Sequence, residues 1–134
     1  MIRLAIKILV VDDDKNTRRL LEAVLKAEKY TVFTAVNGED ALDVMDREHI
    51  DLVIVDIMMP KMDGYELTKV LRKANNNLPI LMVSAKQLPE DRRKGFIVGT
   101  DDYITKPIDV EEMLLRIKAL LRRAQIASEK KIVI

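Results

Sequence analysis

The sequence has no cysteine and a single histidine, and both scarcities exclude particular kinds of chemistry. A chain without cysteine cannot form disulfide bonds, thiolate zinc sites or a cysteine nucleophile, and it is compatible with a reducing compartment. The one histidine, His49, cannot supply the several imidazoles of a histidine metal cluster. Any metal site or nucleophile must therefore be built from other side chains.

Long hydrophobic runs and a large excess of one charge are also missing. The apolar runs are far too short to span a bilayer, and residues 1–11 lack the apolar stretch and small-residue cleavage site of a signal peptide. We therefore expect a soluble, cytoplasmic protein with no membrane partner. The formal net charge is +1, with 34% charged residues, so the overall charge indicates neither a nucleic-acid binder nor a membrane binder.

Strand-like and helix-like patterns alternate five times along the 134 residues. A chain of this length forms one domain with a proper core, and regular alternation predicts a parallel sheet with crossover helices. The predicted strands cover residues 7–12, 30–35, 52–55, 79–84 and 102–105. The predicted helices cover about 16–27, a segment opening at 37–38, a segment introduced by residue 64, a segment from 89 to 99, and about 110–123.

The polarity of the strands predicts their order in the sheet. The first, third and fourth strands are apolar throughout and should be buried on both faces, whereas the second alternates and the fifth is short. With those two at the edges and right-handed crossovers, the favoured order is 2-1-3-4-5. The predicted fold is a doubly wound, flavodoxin-like (βα)5 sandwich of three layers.

Polar residues follow four neighbouring strands of this predicted sheet. Asp12 and Asp13 follow the first strand, Asp56 the third, and Lys106 the fifth, while Ser84 ends the fourth. A single aspartate after a strand is usually a helix cap, but four adjacent strand ends with suitable polar groups are hard to reach by chance. Open α/β sheets bind their ligands at this edge.

Three crowded carboxylates repel, so a cation, a proton or a lysine must offset them. Oxygen ligands in small number favour Mg²⁺, with Mn²⁺ as an alternative. We predict that Asp13 and Asp56 bind the ion directly, that Asp12 acts through water, and that the Met58 carbonyl is a further ligand. Asp56 is then a candidate nucleophile toward phosphorus, because the ion and Lys106 neutralise the transferring group.

Several motifs together resemble the receiver domain of bacterial two-component response regulators. They are Val-Asp-Asp-Asp at 11–14, Asp-Ile-Met-Met-Pro at 56–60, Asp-Gly at 63–64, Ser-Ala at 84–85 and Gly-Thr-Asp-Asp-Tyr-Ile-Thr-Lys-Pro at 99–107. The resemblance covers roughly residues 5–123. It departs from the usual family pattern at Thr100, where alanine is more frequent, and at Ile108, where an aromatic residue is usual.

The resemblance implies roles for the residues at the strand ends. Asp56 would accept a phosphoryl group from a sensor histidine kinase, and the acidic pair Asp12 and Asp13 would bind magnesium. Ser84 and Lys106 would contact the new phosphate, and Tyr103 occupies the aromatic switch position. The chain would be a phosphoacceptor rather than an enzyme, any self-phosphorylation or dephosphorylation being part of the switch.

The charges near the carboxyl end resemble those of the OmpR/PhoB-type subfamily, which dimerises when active. The predicted dimer pairs are Arg92 with Glu112, Asp102 with Arg116, and Asp101 with Arg123. Solvated charges are the alternative, since exposed ion pairs contribute little. In this family interpretation residues 1–123 form the receiver, and 124–134 form a linker or the strand-like start of an absent DNA-binding effector domain.

Two other functions fit parts of the sequence. A small haloacid-dehalogenase-like phosphatase would use Asp12 as nucleophile and Asp14 as acid, but this leaves Asp56 unexplained. A flavodoxin-like nucleotide binder would need glycines and free amides in the first strand-to-helix turn, where this chain has three aspartates.

Overall fold

The computed structural model describes residues 5–132, with side chains as far as Ala124. Five strands alternate with five helices. In chain order the elements are β1 (Lys7–Val11), α1 (Lys15–Ala27), β2 (Thr31–Ala35), α2 (Gly38–Arg47), β3 (Leu52–Val55), α3 (Gly64–Ala74), β4 (Ile80–Ser84), α4 (Pro89–Val98), β5 (Asp102–Thr105) and α5 (Val110–Ile132).

All four neighbouring strand pairs are parallel, and the sheet has the order β2-β1-β3-β4-β5. The predicted fold and strand order are therefore confirmed. The four residues of β3 and the five of β4 are all buried, whereas β2, an edge strand, is half-buried for most of its length. Burial on both faces explains why the central strands are continuously apolar.

Alternate strand residues supply two separate cores, because successive side chains point to opposite faces of a sheet. On one face Ile8, Val10 and Ile54 pack with residues of α1 and α5. On the other face Leu9 and Val53 pack with residues of α2 and α3. The three predicted layers follow from this alternation.

Helix α4 is anchored differently from the other helices. Gly95 is its one fully buried residue, and it lies over Met82 and the Tyr103 ring. The predicted boundaries are confirmed: Pro89 occupies the first turn, and Gly99 ends the helix in the left-handed region at φ +117°. Because few apolar side chains hold α4, it belongs to the more easily rearranged parts of the fold.

The last helix is longer than the sequence pattern predicted. We expected an end at Arg123 and a strand-like start at 130–134, but α5 continues to Ile132. The strand prediction is wrong for 130–132, and residues 133–134 lie outside the described residues. Residues 124–132 contain no glycine or proline that would end the helix. Within the described residues no helix is long and apolar enough to cross a membrane.

Candidate functional site

The structure brings the five predicted polar residues to one edge of the sheet. Asp12 and Asp13 follow β1, Asp56 follows β3, Ser84 ends β4 and Lys106 follows β5. One carboxylate oxygen from each aspartate lies within 4.8 Å of the others. The parallel sheet thus produces the predicted acidic cluster from segments that are far apart in the chain.

Lys106 supplies positive charge to this cluster. Its Nζ lies 3.0 Å from Asp12 Oδ2 and 3.6 Å from Asp56 Oδ2. Its backbone N–H donates to the Ser84 carbonyl over 2.8 Å, which fixes Lys106 beside the end of β4. The ammonium therefore bridges the carboxylates that follow β1 and β3 and offsets part of their repulsion.

Burial changes the ionisation of the cluster. Asp12 and Asp56 are 3% and 5% exposed. Loss of solvent is the main reason that the pKa of Asp56 rises from 3.8 to about 6; the charge of Asp12 adds to the rise, and Lys106 opposes it. Loss of solvent also disfavours the charge on Lys106. The hydrogen bond that its ammonium donates to Asp12 and the charges of both aspartates outweigh this effect and raise the pKa of the lysine.

Local hydrogen bonds give Asp12 and Asp14, the two neighbours of Asp13, different structural roles. The Asp14 N–H donates to Asp12 Oδ1 over 2.9 Å, which orients the Asp12 carboxylate. The carboxylate of Asp14 caps α1 by accepting from the N–H and hydroxyl of Thr17 over 3.1 and 2.7 Å. These hydrogen bonds lower the pKa of Asp14. Asp14 is therefore a helix cap and is not part of the three-carboxylate cluster.

The donor set fits a small, hard divalent cation. Three carboxylates and one ammonium leave an excess of negative charge, and Mg²⁺ prefers a few oxygen ligands while keeping several waters. The Met58 N–H donates to Asp56 Oδ1 over 3.3 Å, so the loop after β3 stays close to the carboxylate. Asp13 and Met58 also line an open pocket of about 440 Å³ beside the cluster.

Ser84 and Tyr103 are connected through Lys86. Ser84 is fully buried, and its Oγ accepts from the Lys86 N–H over 3.2 Å. The Tyr103 ring is 1% exposed, and its hydroxyl donates to the Lys86 carbonyl over 2.8 Å. The guanidinium of Arg92 lies 5.2 Å from the ring centroid. The aromatic ring thus occupies an inward position beside the segment that connects β4 to α4.

The family model described as the response regulator receiver domain matches residues 8–118. The chain belongs to the response regulator receiver family. It is 42% identical over 127 residues to the heme response regulator HssR of Staphylococcus epidermidis, covering 95% of this chain and 56% of HssR. It is 45% identical over 122 residues to the alkaline phosphatase synthesis transcriptional regulatory protein PhoP of Bacillus subtilis, covering 91% of this chain and 51% of PhoP.

Solved structures give the same result. The chemotaxis protein CheY4 of Vibrio cholerae superimposes with a TM-score of 0.83 at 31% identity, covering 87% of this chain and 99% of CheY4. The prediction of an OmpR/PhoB-type receiver is confirmed by the family model together with the HssR and PhoP similarity. The chain spans about half the length of these two curated relatives.

The phosphatase alternative is not supported. It required Asp14 as an acid near the nucleophile, but the Asp14 carboxylate accepts from Thr17 at the start of α1. It also left Asp56 without a role, whereas the structure buries Asp56 in the acidic cluster. The structure brings the ends of β1, β3, β4 and β5 together at one edge of the sheet, where the family interpretation placed the site.

The predicted dimer residues lie on α4, β5 and α5 and the turns beside them, and several of them pair within one chain. Arg116 Nη1 donates to both carboxylate oxygens of Asp102 over 2.9 and 3.0 Å, and its Nε donates to Glu112 over 3.0 Å. Asp101 accepts from Arg72 over 2.9 Å. Pairing across a two-fold axis, including that of the exposed Arg123, stays a prediction.

Gly64 is a site residue whose importance the sequence pattern did not reveal. A Cβ at this position would overlap the carbonyl oxygen of Asp56 and would lie 2.7 Å from Ile57 Cα. The start of α3 therefore passes directly over the backbone of the phosphoacceptor candidate. The signal in the sequence was the Asp63-Gly64 pair, in which a helix cap precedes a glycine rather than a better helix former.

We expect Asp56→Asn to stabilise the metal-free receiver, and to do so more at high pH. Because the pKa of Asp56 is about 6 when folded and 3.8 normally, the penalty from its ionisation grows between these pH values and is complete above about pH 6. Urea unfolding in EDTA should show a gain of about 2 kcal/mol at neutral pH.

The gain should be smaller at about pH 5, since the folded Asp56 is then mostly protonated. Asp46→Asn, which alters an exposed carboxylate on α2, is the matched control and should show no such pH dependence. An Asp56→Asn receiver that is less stable than the wild type at neutral pH would contradict the predicted burial penalty.

Gly64→Ala should damage both stability and the site, because the clash is with backbone rather than with a movable side chain. We expect a loss of about 1–3 kcal/mol in the free energy of unfolding, measured in urea. Gly38→Ala is the control, since the atoms nearest to its new methyl belong to the side chain of Met62, and its cost should be smaller. Equal losses of unfolding free energy in the two alanine variants would contradict the close backbone approach at Gly64.

Proposed function

We propose that Asp56 accepts a phosphoryl group from a phosphohistidine on a sensor kinase, as the first step of a signalling switch in the cytoplasm. The observation that carries this proposal is the geometry around Asp56. A buried carboxylate at the end of β3 lies 3.6 Å from the Lys106 ammonium and within the cluster formed with Asp12 and Asp13. With a pKa of about 6, Asp56 is mostly ionised at neutral pH.

The chemistry is a single displacement at phosphorus. An oxygen of Asp56 forms the new bond to phosphorus while the bond to the imidazole nitrogen breaks, and the electron pair leaves with the imidazole. Lys106 is positioned to neutralise charge on the transferring group. A Mg²⁺ or Mn²⁺ ion held by Asp12, Asp13, Asp56 and the Met58 carbonyl would supply further positive charge.

The phosphoryl group carries about −1.5 to −2 charge and strong acceptor oxygens. The Ser84 hydroxyl and the Lys106 ammonium are its proposed partners. Since Ser84 and Tyr103 both contact Lys86, a movement of Ser84 toward the phosphate is coupled to the segment preceding α4. The weak anchoring of α4 makes it the element that rearranges.

The output of the switch is proposed to be dimerisation through α4, β5 and α5. The pairs would be Arg92 with Glu112, Asp102 with Arg116, and Asp101 with Arg123. In the single chain Arg116 already contacts Asp102 and Glu112, so dimer formation would exchange internal ion pairs for intermolecular ones. Loss of the Arg116–Glu112 pair costs little, because that pair lies at the surface.

We propose residues 1–123 as the receiver and 124–134 as the connection to an effector domain that binds DNA. The support is that HssR and PhoP are about twice as long as the matched segment. The continuous helix α5 would make the start of this connection rigid. The receiver itself is proposed to act as a phosphoacceptor, with no turnover of a separate substrate.

The test of phosphoryl acceptance is incubation with acetyl phosphate and Mg²⁺, followed by intact-protein mass spectrometry. We expect one added phosphoryl mass that hydroxylamine removes and that Asp56→Asn lacks. Asp51→Asn alters a carboxylate at the opposite end of the same strand, where it accepts from the Lys7 N–H over 2.8 Å, and should be phosphorylated normally. Phosphatase turnover that survives Asp56→Asn but is lost in Asp12→Asn would refute the proposal.

The dimer proposal is tested by charge exchange, with sedimentation measured after activation by beryllofluoride. Asp102→Arg and Arg116→Glu should each weaken dimerisation because each places like charges together across the interface. A mixture of the two variants should dimerise again, since only unlike chains then present opposite charges to each other. Arg122→Glu, also on α5, is the control and should dimerise normally. Failure of the mixture to dimerise would show that the Asp102–Arg116 pair acts only within one chain.

A further inference from the structure

A groove of about 620 Å³ lies between α3 and α4, away from the acidic cluster. Its apolar part consists of Val70 from α3 and Ile97 and Val98 from α4. Val70 is 40% exposed and Ile97 is 76% exposed. The exposed parts of these aliphatic side chains do not pack in the core of the receiver. The groove therefore presents apolar surface that its own helices leave uncovered.

The edges of this groove carry positive charge. Lys69 and Lys73 are four residues apart on α3 and lie on one side, and Lys94 of α4 lies on the other. Among the described residues, no carboxylate lies within 4.0 Å of any of the three ammonium groups. All three lysines are exposed, and Lys69 and Lys73 have their charges available to a ligand, whereas the Lys94 ammonium lies over the Tyr65 ring. The net charge of the chain is only +1, so this concentration is local.

Arg72 also lines the groove, but its guanidinium is already engaged. It donates to the carbonyls of Leu78 and Gly99, both over 2.7 Å, and to Asp101 over 2.9 Å. These contacts tie the end of α3 to the turns that precede β4 and β5. Arg72 therefore fixes the end of α3 beside the groove, while Lys69 and Lys73 remain to bind a ligand.

We propose that this groove binds an acidic amphipathic helix of a partner protein. Charge complementarity selects an acidic ligand, and the apolar strip between the lysines selects one that also carries aliphatic side chains on one face. An amphipathic helix presents such side chains at positions i, i+3 and i+4 with acidic residues beside them. A nucleic-acid backbone would match the charge but would leave the apolar strip in contact with water.

The surface is separate from the site of phosphoryl acceptance, since Asp56 is not among its lining residues. Lys94 lies between the two surfaces. It lines the groove, and its ammonium is 4.4 Å from the ring centroid of Tyr65, which lines the pocket beside the acidic cluster. Binding in the groove does not require Asp56, and this allows the surface to be tested independently of the proposed function.

The test uses a fluorescein-labelled helical peptide of about 15 residues, made of glutamate and alanine with leucines at i, i+3 and i+4. Anisotropy titration at low and high salt should give saturable binding that weakens with salt. In a ¹⁵N-labelled receiver, the amide shifts should be confined to the second half of α3 and to α4. Asp56→Asn should bind the peptide as the wild type does.

Two double variants with the same change of charge decide specificity. Lys69→Glu/Lys73→Glu should weaken binding by about tenfold or more, whereas Arg19→Glu/Arg122→Glu, at exposed positions on α1 and α5, should change it little. Ile97→Ser should weaken binding without any change of charge. Circular dichroism checks that each variant is folded.

Three results with the peptide would overturn the proposal. They are the absence of saturable binding, an equal loss of affinity in both double variants, and amide shifts outside α3 and α4. Tighter binding of a single-stranded oligonucleotide than of the peptide, at the same residues, would also overturn it by assigning the groove to a different class of partner.

Discussion

The pairing of Lys106 with two buried aspartates is the interaction on which the site depends. A parallel sheet of this order places the ends of β1 and β3 side by side, and the sequence puts Asp12 and Asp56 there. Their repulsion in a dry environment would be costly without a cation. The ammonium of Lys106, held between them at 3.0 and 3.6 Å, limits this cost without removing it. Burial, together with the charge of Asp12, still raises the pKa of Asp56 to about 6.

This incomplete neutralisation connects stability to signalling. A site whose charges were already balanced would gain little stability from a metal ion or from a phosphoryl group bound to Lys106. Here the negative charge left over would attract a cation, and a bound cation would favour an incoming phosphoryl group. The rigid central strands keep the charged groups at fixed distances, while the lightly anchored α4 can change position. The receiver thus combines a rigid site with an adaptable surface.

The same element, α4, borders two surfaces with different chemistry. Toward β5 and α5 it meets the charged residues proposed for dimerisation, and toward α3 it borders the lysine-edged apolar groove. Tyr65 contacts the first turn of α4, where it donates to the Asp91 carbonyl over 3.0 Å, and Tyr103 contacts the segment before α4, where it donates to the Lys86 carbonyl. A movement of α4 would therefore alter both surfaces at once.

The sequence by itself determined the fold and the membership of the acidic cluster. Alternating patterns defined the elements, the apolar character of the third and fourth strands placed them at the centre, and the strand order then brought Asp12, Asp13 and Asp56 together. These inferences succeeded because the pleat of a parallel sheet and its handed crossovers leave few arrangements. Charge type and position along the chain were sufficient information for this part of the site.

Tertiary structure decided what depends on distances between elements. The raised pKa of Asp56 comes from burial, the intrachain pairing of Arg116 with Asp102 from the docking of α5 on β5, and the need for Gly64 from the close approach of α3 to the Asp56 backbone. The extent of α5 could not be predicted either, because an apolar end such as Ile132 suits a helix or a strand until its neighbours are known. Each of these properties is set by partners that a local sequence pattern does not contain.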